Sequence, residues 1–228
     1  MQKYKWLLFD ADNTFLDFAS ASKKSLFTTC SDYDLECGED IYKTYKTENA
    51  KVWESFERKE ITALELRSLR FAKFFSAINI DGIDPFEFNA QYLLNLIDVS
   101  EAYEGAIKFL EDLAPHYTMT VITNGLKEVQ RPRLTKLQMN HIFDSIVVSD
   151  EIGVAKPDIK FFEYSYKTIP NPPQKSEVLV IGDNLKSDIV GGINFGVDTC
   201  WISHNKQNTS PIKPTFTIDK LFDLTQIL

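Results

Sequence analysis

Asp10 and Asp12 close an apolar run that reads Leu7-Leu8-Phe9-Asp10-Ala11-Asp12-Asn13-Thr14-Phe15-Leu16. A carboxylate at the carboxyl end of a buried strand stands where ligands bind in an open α/β sheet. Buried charge is costly unless it is paired or bound to metal, so two acids there point to chemistry. Taken alone, the segment also reads as a strand running into a polar turn, because Asp and Asn favour turns. Other apolar runs deliver polar groups in the same way. Thr118-Met119-Thr120-Val121-Ile122 is followed by Thr123 and Asn124, and Glu177-Val178-Leu179-Val180-Ile181 by Asp183 and Asp188. The segment after Ser145-Ile146-Val147-Val148 supplies Lys156, next to Pro157. In isolation, Asp183 and Asp188 would read as a helix cap and a first-turn acid.

Brought together, these groups are several carboxylates, a hydroxyl and an ammonium. Packed carboxylates repel and cannot all stay ionised without a cation. Oxygen ligands without His or Cys suit a hard ion, above all Mg²⁺, which keeps waters or phosphate oxygens in its shell. A nearby Lys and Thr complete a cradle for a phosphoryl group. An Asp can act as nucleophile and form an aspartyl-phosphate, and a second Asp can serve as general acid and then general base.

The elements that must position these residues are continuous, β-branched runs at 5–9, 118–122, 145–148, 177–181 and 198–202. Such runs are expected of strands buried on both faces of a parallel sheet. Helical patterns lie between them at 104–113, 127–137, 158–166 and 188–195. This alternation predicts a doubly wound α/β domain, whose strand ends converge on one crevice. Residues 17–96 differ: they are rich in Phe, Tyr and charge, with helical periodicity at 41–56, 63–77 and 85–96. They are expected to form a helical bundle inserted after the first strand, leaving 1–16 and 97–228 as the core. Pro85 suits the first turn of a helix.

Composition narrows the function. A net charge of −8 over 228 residues disfavours nucleic acid polymers and anionic membranes as partners. Hydrophobic residues at 43% provide for a sizeable core. Cys30, Cys37 and Cys200 fit neither a disulfide framework nor a zinc site, and His116, His141 and His204 are scattered singly. The first apolar run is too short to span a membrane and has no signal-peptide pattern, so a cytoplasmic location is expected.

The four motifs are Asp10-Ala11-Asp12-Asn13-Thr14, Thr123-Asn124-Gly125, Lys156-Pro157 and Gly182-Asp183-Asn184-Leu185-Lys186-Ser187-Asp188. In this order and context they resemble those of the haloacid dehalogenase superfamily. The resemblance implies a Rossmann-like core with an inserted helical cap of the family's first type. It implies that Asp10 is the nucleophile and a Mg²⁺ ligand. Asp12 would protonate the leaving oxygen and later activate water, its backbone carbonyl facing the metal. Thr123 and the amide of Asn124 would hold phosphoryl oxygens. Lys156 would offset charge on Asp10 and the phosphate. Asp183 would bind the metal, and Asp188 would act through water or orient Lys156. Many members carry Gly at the position of Asn13, and Asn tolerates the same turn. The superfamily's dehalogenases lack an acid at the position of Asp12, since halide leaves without a proton.

The stretch from Thr123 to Gln130, with Val148-Ser149-Asp150-Glu151-Ile152-Gly153-Val154-Ala155-Lys156-Pro157, is similar to the pyrimidine 5′-nucleotidase branch. That implies a small phosphorylated metabolite as partner, and a monomer or homodimer. Sugar-phosphate or other small-metabolite phosphatases share much of the segment. A phosphomutase and a non-enzymatic phospho-binding protein remain as alternatives. Aromatics of the insertion such as Tyr42, Tyr45, Trp53 and Phe56 could stack a base, and Lys46, Arg67 and Arg70 could reach a substrate. Aromatics at helical spacing more often pack in a core, and a solvated helix face explains the three basic residues equally well.

Overall fold

The computed structural model describes residues 3–228. Six parallel strands form one sheet: β1 (Trp6–Phe9), β2 (Thr118–Thr123), β3 (Ser145–Val148), β4 (Val178–Gly182), β5 (Asp198–Ile202) and β6 (Phe216–Ile218), in the spatial order β3-β2-β1-β4-β5-β6. The first strand is therefore central. Phe9 lies opposite Val121 of β2 on one side and Ile181 of β4 on the other. Chain order reverses at β1, the kind of switch point at which open α/β sheets bind ligands.

Every residue of β1 is buried, because both faces of the sheet are covered. Side chains alternate across a strand. Leu7 and Phe9 join a core with Leu110 and Leu134, while Trp6 and Leu8 join another with Phe161, Phe162 and Phe195. The first core brings in α5 (Ala106–Leu113) and α6 (Lys127–Lys136); the second brings in α8 (Ile159–Tyr166) and α9 (Val190–Phe195). A short α7 (Ser149–Ile152) follows β3. The Trp6 indole finds its acceptor in Thr120 Oγ1 at 3.0 Å, so the large ring is buried without an unmet donor.

The chain divides into two compact units, residues up to Phe18 with Glu101–Leu228, and Ala19–Ser100. The second holds most of α1 (Phe18–Asp32) and all of α2 (Glu39–Glu57), α3 (Ala63–Ala77) and α4 (Pro85–Val99). The starts of α3 and α4 are written in the sequence. Thr62 and Glu65 form a reciprocal capping box on α3, and Asp84 caps α4 with Pro85 in its first turn. Tyr45, Phe71, Phe74, Phe88 and Tyr92 are fully buried within it. Arg70 is buried there too, 3% exposed, donating to the Tyr45 hydroxyl and lying 4.7 Å from the Tyr92 ring centre. Tyr45 and Arg70 thus belong to the interior of the insertion, where packing accounts for them. No helix among the described residues is long and apolar enough to cross a membrane.

Two elements differ from the sequence-based expectation. Helix α1 buries Ala21, Ser22, Ser25, Leu26, Thr29 and Cys30. This stripe is mostly small and polar, so apolar periodicity does not reveal it. Its hydroxyls are satisfied within the insertion: Ser25 donates to the Tyr92 carbonyl of α4 at 2.7 Å and Thr29 to the Ser25 carbonyl at 2.7 Å. Strand β6 has three residues and is only partly buried. It is too short to stand out.

Candidate active site

The carboxyl ends of β1, β2 and β4 bring Asp10, Thr123 and Asp183 to the same edge of the sheet. Asp10 follows β1 directly and is buried, its amide bonded to the Ile181 carbonyl at 2.8 Å. Asp183 follows β4, and the indole of Trp201 holds its backbone carbonyl at 2.9 Å. The next turn, Leu185–Ile189, is wound as a π-helix, a local irregularity that recurs at functional sites. Asn184 caps it by accepting from the amides of Lys186 and Ser187. The turn brings the Asp188 carboxylate within 4.8 Å of that of Asp183.

Carboxylate oxygens of Asp10, Asp183 and Asp188 all lie within 4.8 Å of one another. Lys156 sits among them, with its ammonium donating to Asp10 Oδ1 at 2.7 Å, Asp188 Oδ1 at 2.7 Å and the Ile122 carbonyl at 2.6 Å. All three ammonium protons are thereby used. The second oxygen of Asp188 accepts from the Asn184 amide at 3.0 Å, so both its oxygens are engaged. Thr14 donates to Asp10 Oδ2 at 3.2 Å. Asn124 latches the backbone of Lys156 through two side-chain bonds, Nδ2 to its carbonyl at 2.9 Å and Oδ1 from its amide at 2.8 Å. The segment that carries the lysine is thus tied to the end of β2.

Electrostatics express the crowding. Burial works against the Lys156 ammonium, but Asp10 and Asp188 outweigh it and hold its pKa above the ordinary lysine value. Burial pushes Asp10 well above the usual carboxylate range; Lys156 pulls it back, while Asp188, Asp183 and Asp12 push further. Asp183 is raised to about 7, by burial first and Asp188 next, against the pull of Lys206 and Lys156. One lysine does not neutralise this set. Hard oxygen donors with surplus negative charge fit Mg²⁺.

Two observations concern the phosphoryl side. The Thr123 hydroxyl is buried and has no hydrogen-bond partner among the described residues. Buried polar groups are nearly always partnered, so such a group needs an explanation, and an oxyanion supplies one. Asp12 lies apart from the three-carboxylate group. Its Oδ1 accepts from Arg133 Nη1 at 2.7 Å and its Oδ2 from Gln130 Nε2 at 2.9 Å.

The sequence-based set Asp10, Thr123, Asn124, Lys156, Asp183 and Asp188 is therefore assembled at one sheet edge, with Asp12 beside it on a different set of partners. Sequence reasoning gave no role to Gln130, the last residue of the stretch from Thr123, or to Arg133; their three-residue spacing, which puts them on one helix face, was the available signal. It also missed His204, whose Nε2 meets the Asn13 carbonyl at 2.6 Å.

A doubly wound parallel sheet thus carries an acid cluster and a lysine at its switch point, with a helical insertion after the first strand. The chain belongs to the haloacid dehalogenase-like hydrolases, whose family model matches residues 7–202. It is similar to the pyrimidine 5′-nucleotidase YjjG of Escherichia coli, 33% identical over 99% of this chain and 98% of that one. It is also similar to the pyrimidine 5′-nucleotidase PynA of Streptococcus pneumoniae, at 31% over 99% and 95%. Among solved structures, the HAD-hydrolase YfnB of Bacillus subtilis, described as bound to magnesium with interdomain movement, superposes with a TM-score of 0.92 at 31% identity, covering 99% of each chain.

Proposed function

We propose that the protein is a Mg²⁺-dependent phosphomonoesterase that acts on pyrimidine nucleoside 5′-monophosphates through an aspartyl-phosphate on Asp10. The observation that carries this reading is the pairing of a carboxylate cluster around Lys156 with the unpartnered hydroxyl of Thr123. Resemblance to YjjG and PynA over nearly the whole chain supports the nucleotide as substrate class.

Asp10 and Asp183, with the backbone carbonyl of Asp12, would hold the metal. When bound, Mg²⁺ offsets the negative charge of the carboxylates and the phosphoryl oxygens. Thr123 and the Asn124 amide orient the phosphoryl group, and Lys156 balances charge on Asp10 and the phosphate. A carboxylate oxygen of Asp10 attacks phosphorus, the bond to the leaving oxygen breaks, and Asp12 gives that oxygen its proton. Water then attacks the phosphorus of the aspartyl-phosphate, Asp12 takes a proton from it, and inorganic phosphate leaves with Asp10 restored. Asp188 keeps Lys156 in place.

A panel of nucleoside monophosphates and sugar phosphates, assayed with Mg²⁺ and again with chelator, tests the proposal. Preferred release of phosphate from pyrimidine nucleotides, lost with chelator and in Asp10→Asn, is expected. Preference for sugar phosphates would remove the nucleotidase assignment and leave the phosphatase. Turnover retained in Asp10→Asn would remove the covalent mechanism. Isomerised sugar phosphate with little free phosphate would indicate a mutase.

A further inference from the structure

Asp12 is held by two side chains from α6. Both of its carboxylate oxygens are occupied, one by Arg133 and one by Gln130, and Arg133 Nη1 also reaches Gln130 Oε1 at 3.3 Å. The triangle is closed, so neither oxygen can swing away without breaking a bond to a buried donor. The Arg133 side chain is fully buried, and its guanidinium lies 5.6 Å from the centre of the Phe18 ring. Burying an arginine costs several kcal/mol unless a carboxylate meets it, and here Asp12 does. Gln130 is fixed from the other side by the motif that ends β2. A Cβ built on Gly125 would fall 2.3 Å from Gln130 Nε2 and 2.7 Å from its Cγ. The amide therefore lies over the bare backbone of the glycine in Thr123-Asn124-Gly125.

We propose that Gln130 and Arg133 are positioning residues for the proton-transferring Asp12. They fix its carboxylate apart from the Asp10–Asp183–Asp188 group, and Gly125 is a glycine so that Gln130 can reach it. This rests on the reading of Asp12 as the acid in the first half of the reaction. Gly125 contributes by absence of a side chain, which distinguishes its part from that of Thr123 and Asn124.

Leaving groups of different basicity separate this role from a merely structural one. An alkyl leaving oxygen, as in a nucleoside 5′-monophosphate, needs a proton; p-nitrophenolate leaves without one. The measurement is kcat/KM, which reports steps up to release of the alcohol, with Mg²⁺ present, for uridine 5′-monophosphate and p-nitrophenyl phosphate. Arg133→Met and Gln130→Leu are expected to lower kcat/KM for the nucleotide by about 10- to 100-fold, part of the about 10²–10⁴ that general acid catalysis supplies. They should change p-nitrophenyl phosphate far less. Arg133→Lys should recover part of the nucleotide rate, and Gly125→Ala should follow Gln130→Leu. Equal losses on both substrates, or no loss on either, would overturn the proposal. Where Arg133→Met does not fold, Gln130→Leu decides by the same comparison. Asp12→Asn is the control. If it shows no leaving-group selectivity, the acid assignment of Asp12 has failed; if it does and the α6 variants do not, the positioning role alone has failed.

Discussion

Lys156 and Asp188 form a fully buried pair, 2.7 Å apart with each side chain only 1% exposed. Asp188 has no unengaged oxygen left, because the Asn184 amide holds the other one. The same ammonium donates to Asp10 Oδ1 at 2.7 Å, so Lys156 links Asp188 to Asp10.

Removing the ammonium should therefore be felt twice. Lys156→Met leaves Asp10 and Asp188 buried without their shared cation, and breaking a buried pair costs about 3–5 kcal/mol. The expected result is a lower unfolding midpoint in chelator, partly restored by Mg²⁺, with turnover lowered by at least about 100-fold. Urea unfolding with and without Mg²⁺ measures the first, and phosphate release the second. A variant as stable as the parent in chelator would contradict the pairing.

The carboxylate cluster predicts an unusual pH dependence. Asp183 titrates at about 7 in the folded metal-free protein and Asp10 is raised as well, both by burial first, whereas an unfolded aspartate titrates near about 3.9. The folded state then binds more protons than the unfolded state between those values. The stability this contributes is complete below about pH 4 and is lost as pH rises through about 7. In chelator the melting temperature should fall from pH 5 to pH 8, and Mg²⁺ should cancel the fall. Asp183→Asn should flatten the metal-free curve. A melting temperature that climbs over this range without metal would count against the cluster.

Gly182 ends β4 under Asp188. A Cβ added there would lie 2.3 Å from Asp188 Oδ2 and 2.7 Å from its Cβ, too close for any arrangement that keeps Asp188 in place. Gly182→Ala should push Asp188 off Lys156, cutting turnover by about 10-fold or more while circular dichroism stays that of the parent. Unchanged activity would mean that Asp188 can yield without consequence.

Asn13 adopts a positive φ of 57°, in the left-handed region. Glycine enters it freely, and a β-branched residue pays about 1–2 kcal/mol. Asn13→Gly should keep activity and stability, while Asn13→Val should lose about that much stability in denaturant unfolding. Equal stabilities would show that His204, bonded to the Asn13 carbonyl, sets the turn alone.

Asp10, Thr123 and Asp183 were legible because they stand at strand ends, and buried parallel strands announce themselves as apolar runs. Lys156 and Asp188 lie further along the chain, and the order of the four motifs and their family resemblance joined them to the set. Other features left no pattern. Helix α1 hides its buried face in Ala, Ser and Thr, and Ser22 meets the Tyr92 hydroxyl at 3.0 Å inside the insertion. Arg70 resembles a surface cation in sequence, yet aromatic rings enclose it. Arg133 has the same ambiguity on α6. Burial of an arginine is decided by what the fold packs around it, which residue type cannot express.

The place of β1 in the sheet bears on how the chain is made. Synthesis delivers this strand first, yet its second neighbour, β4, begins only at Val178. Until then one edge of four wholly buried residues has no partner, and open apolar edges invite association with other chains. Asp10 likewise waits for Asp183 and Asp188. Until Val178–Gly182 has been added, the nascent chain can neither shield its central strand nor bring Asp10 to Asp183 and Asp188, so the open edge needs protection throughout that interval and the acidic cluster forms only after it.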